Sequence, residues 1–194
     1  FTPDLCLLLN ASGCMAVSGG LEVASDRLLQ LIQKGVTVEQ VAKVAGNLTS
    51  AGIMVHAYLM YGFPTQTVQE TVDSLEMVRQ LFQTEVIRSG FWHQFALTAH
   101  SPVGQDPEAY GLVTEKHEIT FANNDIQFSD KTNIDHDKFS YGLKKSLYNY
   151  MHGIGYEFPL QEWFNFKIPR TTVDDDFILK CLAQEEPLVI RPHA

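Results

Sequence analysis

The stretch "MVHAYLMYGFPTQTVQETVDSLEMVRQLF", Met54 to Phe82, decides the fold. Its first half is a short apolar run of strand length, broken at Tyr61-Gly62-Phe63-Pro64. Its second half opens with Thr67-Val-Gln-Glu70, the form of a capping box, and sets Val68, Val72, Leu75, Val78 and Phe82 on one helical stripe. A strand that feeds through a glycine turn straight into a helix is half of a βαβ unit in a parallel sheet.

The neighbours on both sides repeat this unit. Upstream, Thr2-Pro3 reads as a cap with proline at the first helical position, and Gly13 as the glycine that ends that helix. The segment "CMAVSGGLE" predicts a strand near Met15 to Gly19, and Ser25 caps a helix through "DRLLQLIQKG", closed by Lys34 and Gly35. Thr37-Val-Glu-Gln40 is a second capping box, opening a helix with Val38, Val41, Ala42, Ala45 and Leu48 on one stripe and Gly52 at its end. Downstream, "VIRSGFWHQFALTAHSP" predicts a third strand within Val86 to Pro102. The helical crossovers are long enough for parallel pairing, so the class is α/β with helices on one or both faces of the sheet.

From Val103 the pattern turns polar and irregular. Short strands are expected at Glu118 to Phe121 and near Ile126 to Ser129, and a helix from Asp137 or Ser140 to about Gly153 with Phe139, Leu143, Leu147 and Tyr150 inward. The tail "EEPLVIRP" reads as a strand or an extended arm.

Composition excludes several classes. With 45% hydrophobic and 11% aromatic residues in 194, the chain can bury a sizeable core. A net charge of −9 without a basic patch opposes phosphate backbones and anionic lipid, so neither nucleic acid nor a membrane is an expected partner. No apolar run approaches the roughly 20 residues that span a bilayer, and no basic leader opens the chain; a cytoplasmic location is expected. Cys6, Cys14 and Cys181 are too few and too irregular for a disulfide framework or a zinc ribbon, and each reads as a small buried hydrophobe. Asp174 to Asp176 reads as a solvated loop or helix start. The chain begins on Phe1 rather than Met and is expected to be a piece of a longer polypeptide.

In parallel sheets ligands lie beyond the carboxyl ends of the strands. Three ends are visible, Ser18-Gly19-Gly20-Leu21-Glu22, Tyr61-Gly62-Phe63-Pro64 and Ala96-Leu97-Thr98-Ala99. Glycine there lets another group approach the backbone closely. The spacing of Gly13, Cys14, Val17, Gly20, Glu22, Ser25, Leu29, Lys34 and Gly35, then of Ala51-Gly52-Ile53, Val55, Gly62, Pro64 and Thr67, resembles the second half of the radical S-adenosylmethionine core. The stretch "ALTAHSPVGQDPEAYGL" is similar to the next segment of that family's core, with Gln105 at the usual Thr.

The resemblance covers roughly residues 1–112 and implies the last three strands of a (β/α)6 partial barrel of TIM type, with 113–194 a mixed α+β extension specific to the family. It implies that the full-length protein binds S-adenosylmethionine and a [4Fe-4S] cluster, and that reductive cleavage gives a 5′-deoxyadenosyl radical acting on an unknown substrate. Position by position, Glu22 would face the ribose or amino group and Lys34 the methionyl carboxylate. Met60, Tyr61 and Gly62 would offer backbone to adenine, with the backbone around Leu97 on its other side.

The departures are equally definite. The cluster-binding C-x-x-x-C-x-x-C is absent, as is the segment that holds the methionyl amino group; Gln66 replaces the usual glutamate before Thr67, and Thr65 a common glycine. No cofactor is therefore expected on this chain alone, whose partners would be the missing N-terminal half of its barrel or a second copy through an exposed sheet edge. Glu22 has a plainer reading as the partner of Lys34, of Arg27 or of a helix N-terminus, and Lys34 as a solvated helix-end cation. His56, His93 and His100 lack metal-ligand spacing, "DHDK" at Asp135 reads as a loop, and Tyr58, Trp92 and Phe95 as core or as cavity lining. An alternative to the enzyme is an α/β structural or interaction module that keeps only the scaffold.

Overall fold

The computed structural model describes residues 1–115 and 124–183. Helix α1 (Pro3–Ala11) leads to strand β1 (Ala16–Glu22), α2 (Asp26–Leu31), α3 (Val38–Ser50), β2 (Met54–Tyr61), α4 (Val68–Gln83) and β3 (Ser89–Gln94). The three strands form one parallel sheet in the order β1-β2-β3, joined by helical crossovers. Both capping boxes form as read: Thr37 with Gln40, and Thr67 with Glu70, each satisfying two backbone amides that a helix start leaves open.

The sheet is clothed on one side. Val55, Ala57, Leu59 and Tyr61 of β2 are buried, while Met54, His56 and Tyr58 alternate with them toward the other face. Tyr58 stands between Gly20 and Phe91 in register, and Tyr58 and Phe91 are 46% and 54% exposed. Parallel sheets are ordinarily buried on both faces, so this bare face is the unusual feature of the fold. The sheet is open, with β1 and β3 at its edges, and no closed barrel is present among the described residues.

The remaining described elements are α5 (Pro102–Gln105), the antiparallel pair β4 (Leu112–Thr114) and β5 (Phe128–Asp130), α6 (Ser140–Met151) and α7 (Phe177–Ala183). Helix α6 packs on the covered face, where Leu147 meets Gly90 of β3. Its inward residues Phe139, Leu143, Leu147 and Tyr150 are buried as their spacing predicted. Helix α7 lies against α3 and α4. An open half barrel predicts either dimerisation or cover by residues 113–194; the described part of that extension instead thickens the helical side and leaves the face bare.

Four boundaries differ from the sequence reading. Strand β1 runs on to Glu22 because Glu22 still pairs with Leu59 across an irregularity after Gly20. Helix α2 stops at Leu31, since Gln33 turns left-handed at φ 54°, and Lys34 lies beyond the helix rather than in its last turn. Strand β3 spans only Ser89–Gln94, because β2 ends at Tyr61 and offers no further partner; His100 lies in a turn. Strand β5 is displaced to Phe128–Asp130. Cys6 and Cys181 are buried, whereas Cys14 is half-buried. Asp174 to Asp176 form the exposed turn before α7. The strand read at Glu118 to Phe121 and the tail from Glu185 fall outside the described residues.

Candidate functional site at the carboxyl ends of the strands

The first strand end is built by a conformational exception. Glu22 sits at φ 58°, in the left-handed region that side chains other than glycine seldom occupy. That twist carries its carboxylate back over Gly20, where Oε1 accepts a hydrogen bond from Nζ of Lys34 at 2.9 Å. A Cβ on Gly20 would strike Glu22 Oε1 and stand 2.9 Å from Lys34 Nζ, so the bare glycine is what lets the pair lie there. Both side chains keep contact with solvent, at 22% and 37% exposure. The structure thus joins two of the predicted site residues, and it gives Glu22 the partner Lys34 rather than Arg27.

Arg27 has another task. Its guanidinium forks onto both carboxylate oxygens of Glu70 at 2.7 and 2.8 Å and reaches the Thr65 carbonyl at 2.9 Å, tying α2 to the turn after β2. Burial pushes the Glu70 carboxyl upward, but hydrogen bonds from Arg27 and Thr67 outweigh it and hold the group below the usual carboxylate range.

The second strand end is held from within. Gly62 lies at φ 77°, and its amide donates to Oε1 of Gln66 at 2.7 Å, with the Phe63 amide on the same oxygen at 3.2 Å. Gln66 is fully buried, and its Nε2 has no partner among the described residues. Gln66, which stands where the resembling motif has a glutamate, is therefore the clamp on the strand-end turn. Met60 and Tyr61 are buried, and Tyr61 donates its hydroxyl to Gln94 at 3.3 Å. At the third end Leu97 is buried, and its carbonyl accepts the Ile126 amide at 2.7 Å.

A cleft of about 460 Å³ opens between the second and third ends, with Gly62, Gln94, Leu97, Ile126, Phe128 and His136 on its walls. Asp130 pins its outer wall by accepting the Thr65 amide at 2.7 Å. Burial pushes the Asp130 carboxyl up, and hydrogen bonds from Thr132 and Thr65 more than reverse this, leaving it an anion at neutral pH. His136, from the "DHDK" loop, is pushed below its ordinary value by burial, so it stands neutral. Neither residue was legible from the sequence. Asp130 meets Thr65 across 65 positions, and no local pattern marks a contact of that range.

The other singled-out residues spread apart. Trp92 is core; Phe95 packs edge-on against Phe63 and Phe128; Tyr58 lies on the bare face beside His56, whose Nδ1 is 2.8 Å from Ser89 Oγ. Among the described residues no three His, Cys, Asp or Glu side chains gather as a metal site, and no helix is long and apolar enough to cross a membrane. Cys6 lies within α1, Cys14 ahead of β1 and Cys181 within α7, a set that does not fit a [4Fe-4S] cluster.

No family model matches the chain. Over 81 residues it is 27% identical to an uncharacterized methyltransferase of Pyrococcus horikoshii, a match that spans 42% of this chain and 18% of that protein's length.

Proposed function

We propose that the chain is the C-terminal part of the core of an S-adenosylmethionine-dependent enzyme, of the radical kind its motifs resemble. The observation that carries this reading is the convergence of three parallel strand ends, each with a feature that serves a nucleoside. Glu22 and Lys34 offer a paired carboxylate and ammonium, Gly62 a backbone without a side chain, and Leu97 a backbone on the far side of the cleft. Lys34 would exchange Glu22 for the methionyl carboxylate, and Glu22 would then accept from the ribose or the amino group. Met60, Tyr61 and Gly62 would flank adenine. The distant likeness to a methyltransferase agrees, since such enzymes commonly take their methyl group from S-adenosylmethionine.

The bare sheet face and the free edge of β1 would meet the first half of the barrel, supplied by chain outside these residues. On this reading the cluster's thiolates lie in that half, and the reductive cleavage belongs to the whole protein.

A scaffold without catalysis is favoured by one specific observation: Lys34, the Gly62 amide and the Leu97 carbonyl are each already bonded within the chain. The two readings separate on the chain joined to whatever its reading frame encodes before Phe1. Anaerobic reconstitution with iron and sulfide, followed by reductant and S-adenosylmethionine, should give a cluster and release 5′-deoxyadenosine. Neither product would leave the scaffold.

A further inference from the structure

Residues 124–137 fold over the ends of β2 and β3 and set His136 against Gly62. A Cβ on Gly62 would stand only 3.2 Å from Cβ and 3.3 Å from Cγ of His136, so the glycine is what admits the root of that side chain. Both ring nitrogens are buried, and neither has a hydrogen-bond partner among the described residues. Packing holds such a ring in place against the cost of stripping water from two polar atoms, which makes the seat easy to surrender. The turn that carries His136 is anchored at its ends, by Asp130 on the Thr65 amide and by the fully buried Phe139. Between the anchors Asn133 turns left-handed at φ 50°, and the exposed residues Asn133, Asp135 and Asp137 alternate with the half-buried Ile134 and His136.

The charge of the cleft narrows the ligand class. Among the described residues Asp125, Asp130, Asp135 and Asp137 border it and no Lys or Arg does, a field that favours a neutral or cationic ligand over a phosphorylated one.

We propose that His136 is a self-docked cap: its imidazole takes the face of Gly62 that a planar, neutral or cationic heterocycle would occupy, and such a ligand binds by displacing it. The proposal rests on the strand ends being a nucleoside site. It adds that the site is closed by the chain's own ring and opens at a cost in affinity.

The test is an NMR titration of the 194-residue chain with adenosine, following the Gly62 amide in the wild type, His136→Ala and His136→Phe. A cap closed about nine-tenths of the time lowers apparent affinity about tenfold, so His136→Ala should bind about tenfold tighter. His136→Phe keeps a flat ring on Gly62 and should bind no tighter than wild type. Equal binding by wild type and His136→Ala, or weaker binding by His136→Ala, overturns the cap and leaves the nucleoside site standing. Binding by none of the three, His136→Ala included, overturns the cap alone; the nucleoside site of the longer protein stands or falls by the reconstitution above. The Gly90 amide, on the covered side of β3, reports whether each variant is folded.

Discussion

Lys34 donates to Glu22 at 2.9 Å directly above the bare Cα of Gly20. The three atoms nearest to a side chain there belong to the carboxylate of Glu22 and the ammonium of Lys34.

Crowding at a glycine costs little when the neighbour can swing away and much when it cannot. Gly142 shows the second case, because an added Cβ would drive into the ring of Phe164 and stand 2.7 Å from the Trp163 carbonyl. Gly20→Ala should therefore separate Glu22 from Lys34 while lowering stability by less than about 1 kcal/mol, the usual ceiling for an exposed ion pair. Gly142→Ala should lose about 1–3 kcal/mol by overpacking. Urea unfolding of both variants decides; equal losses would mean that Glu22 and Lys34 cannot swing aside.

The Gln66 clamp predicts a difference between two substitutions at one position. Gln66→Ala leaves the buried amides of Gly62 and Phe63 without an acceptor, a loss of about 1–3 kcal/mol. Gln66→Glu keeps an acceptor oxygen in place but brings a carboxyl into a fully buried site, so it should cost less than Ala only where the pH is low enough to keep that carboxyl protonated. Denaturant midpoints at about pH 5 that rank Glu below Ala would sink the clamp.

The Arg27–Glu70 fork makes part of the stability depend on pH. Glu70 in the folded chain is held below its ordinary value, so its contribution is complete above the unfolded carboxyl's pKa, about 4.3, and is lost as pH falls through the folded value. Arg27 is half exposed, which limits the effect to about 1 kcal/mol or less. Thermal midpoints of wild type and Arg27→Met, followed from about pH 6 to about pH 3, should differ at the upper end and converge at the lower. A gap that stays constant across this range would assign the effect of Arg27 to its packing.

What could be read from the sequence divides along range of interaction. The helix starts at Thr2, Ser25, Thr37 and Thr67, and the inward side of α6, obey rules that act within a turn or two, and all form as read. The limits of β3 depended on where β2 stops, which nothing inside "VIRSGFWHQFALTAHSP" records. At the site, Glu22 and Gly62 stood out by their place at strand ends, and Lys34 only by the motif it shares with the family the chain resembles. Gln66 was visible as a departure, yet its role was not, because a buried amide that clamps a turn looks in sequence like any polar residue before a helix. His136 and Asp130 approach from a segment with no periodicity, and only the fold shows them.

The bare face of the sheet also sets a condition on how firmly the chain holds together. A partner that covers Tyr58 and Phe91 needs the assembled sheet, so it draws the folded form alone and stabilises it in proportion to the logarithm of its own free concentration. Folding and assembly then become one equilibrium, and dilution away from that partner leaves the chain at its weakest.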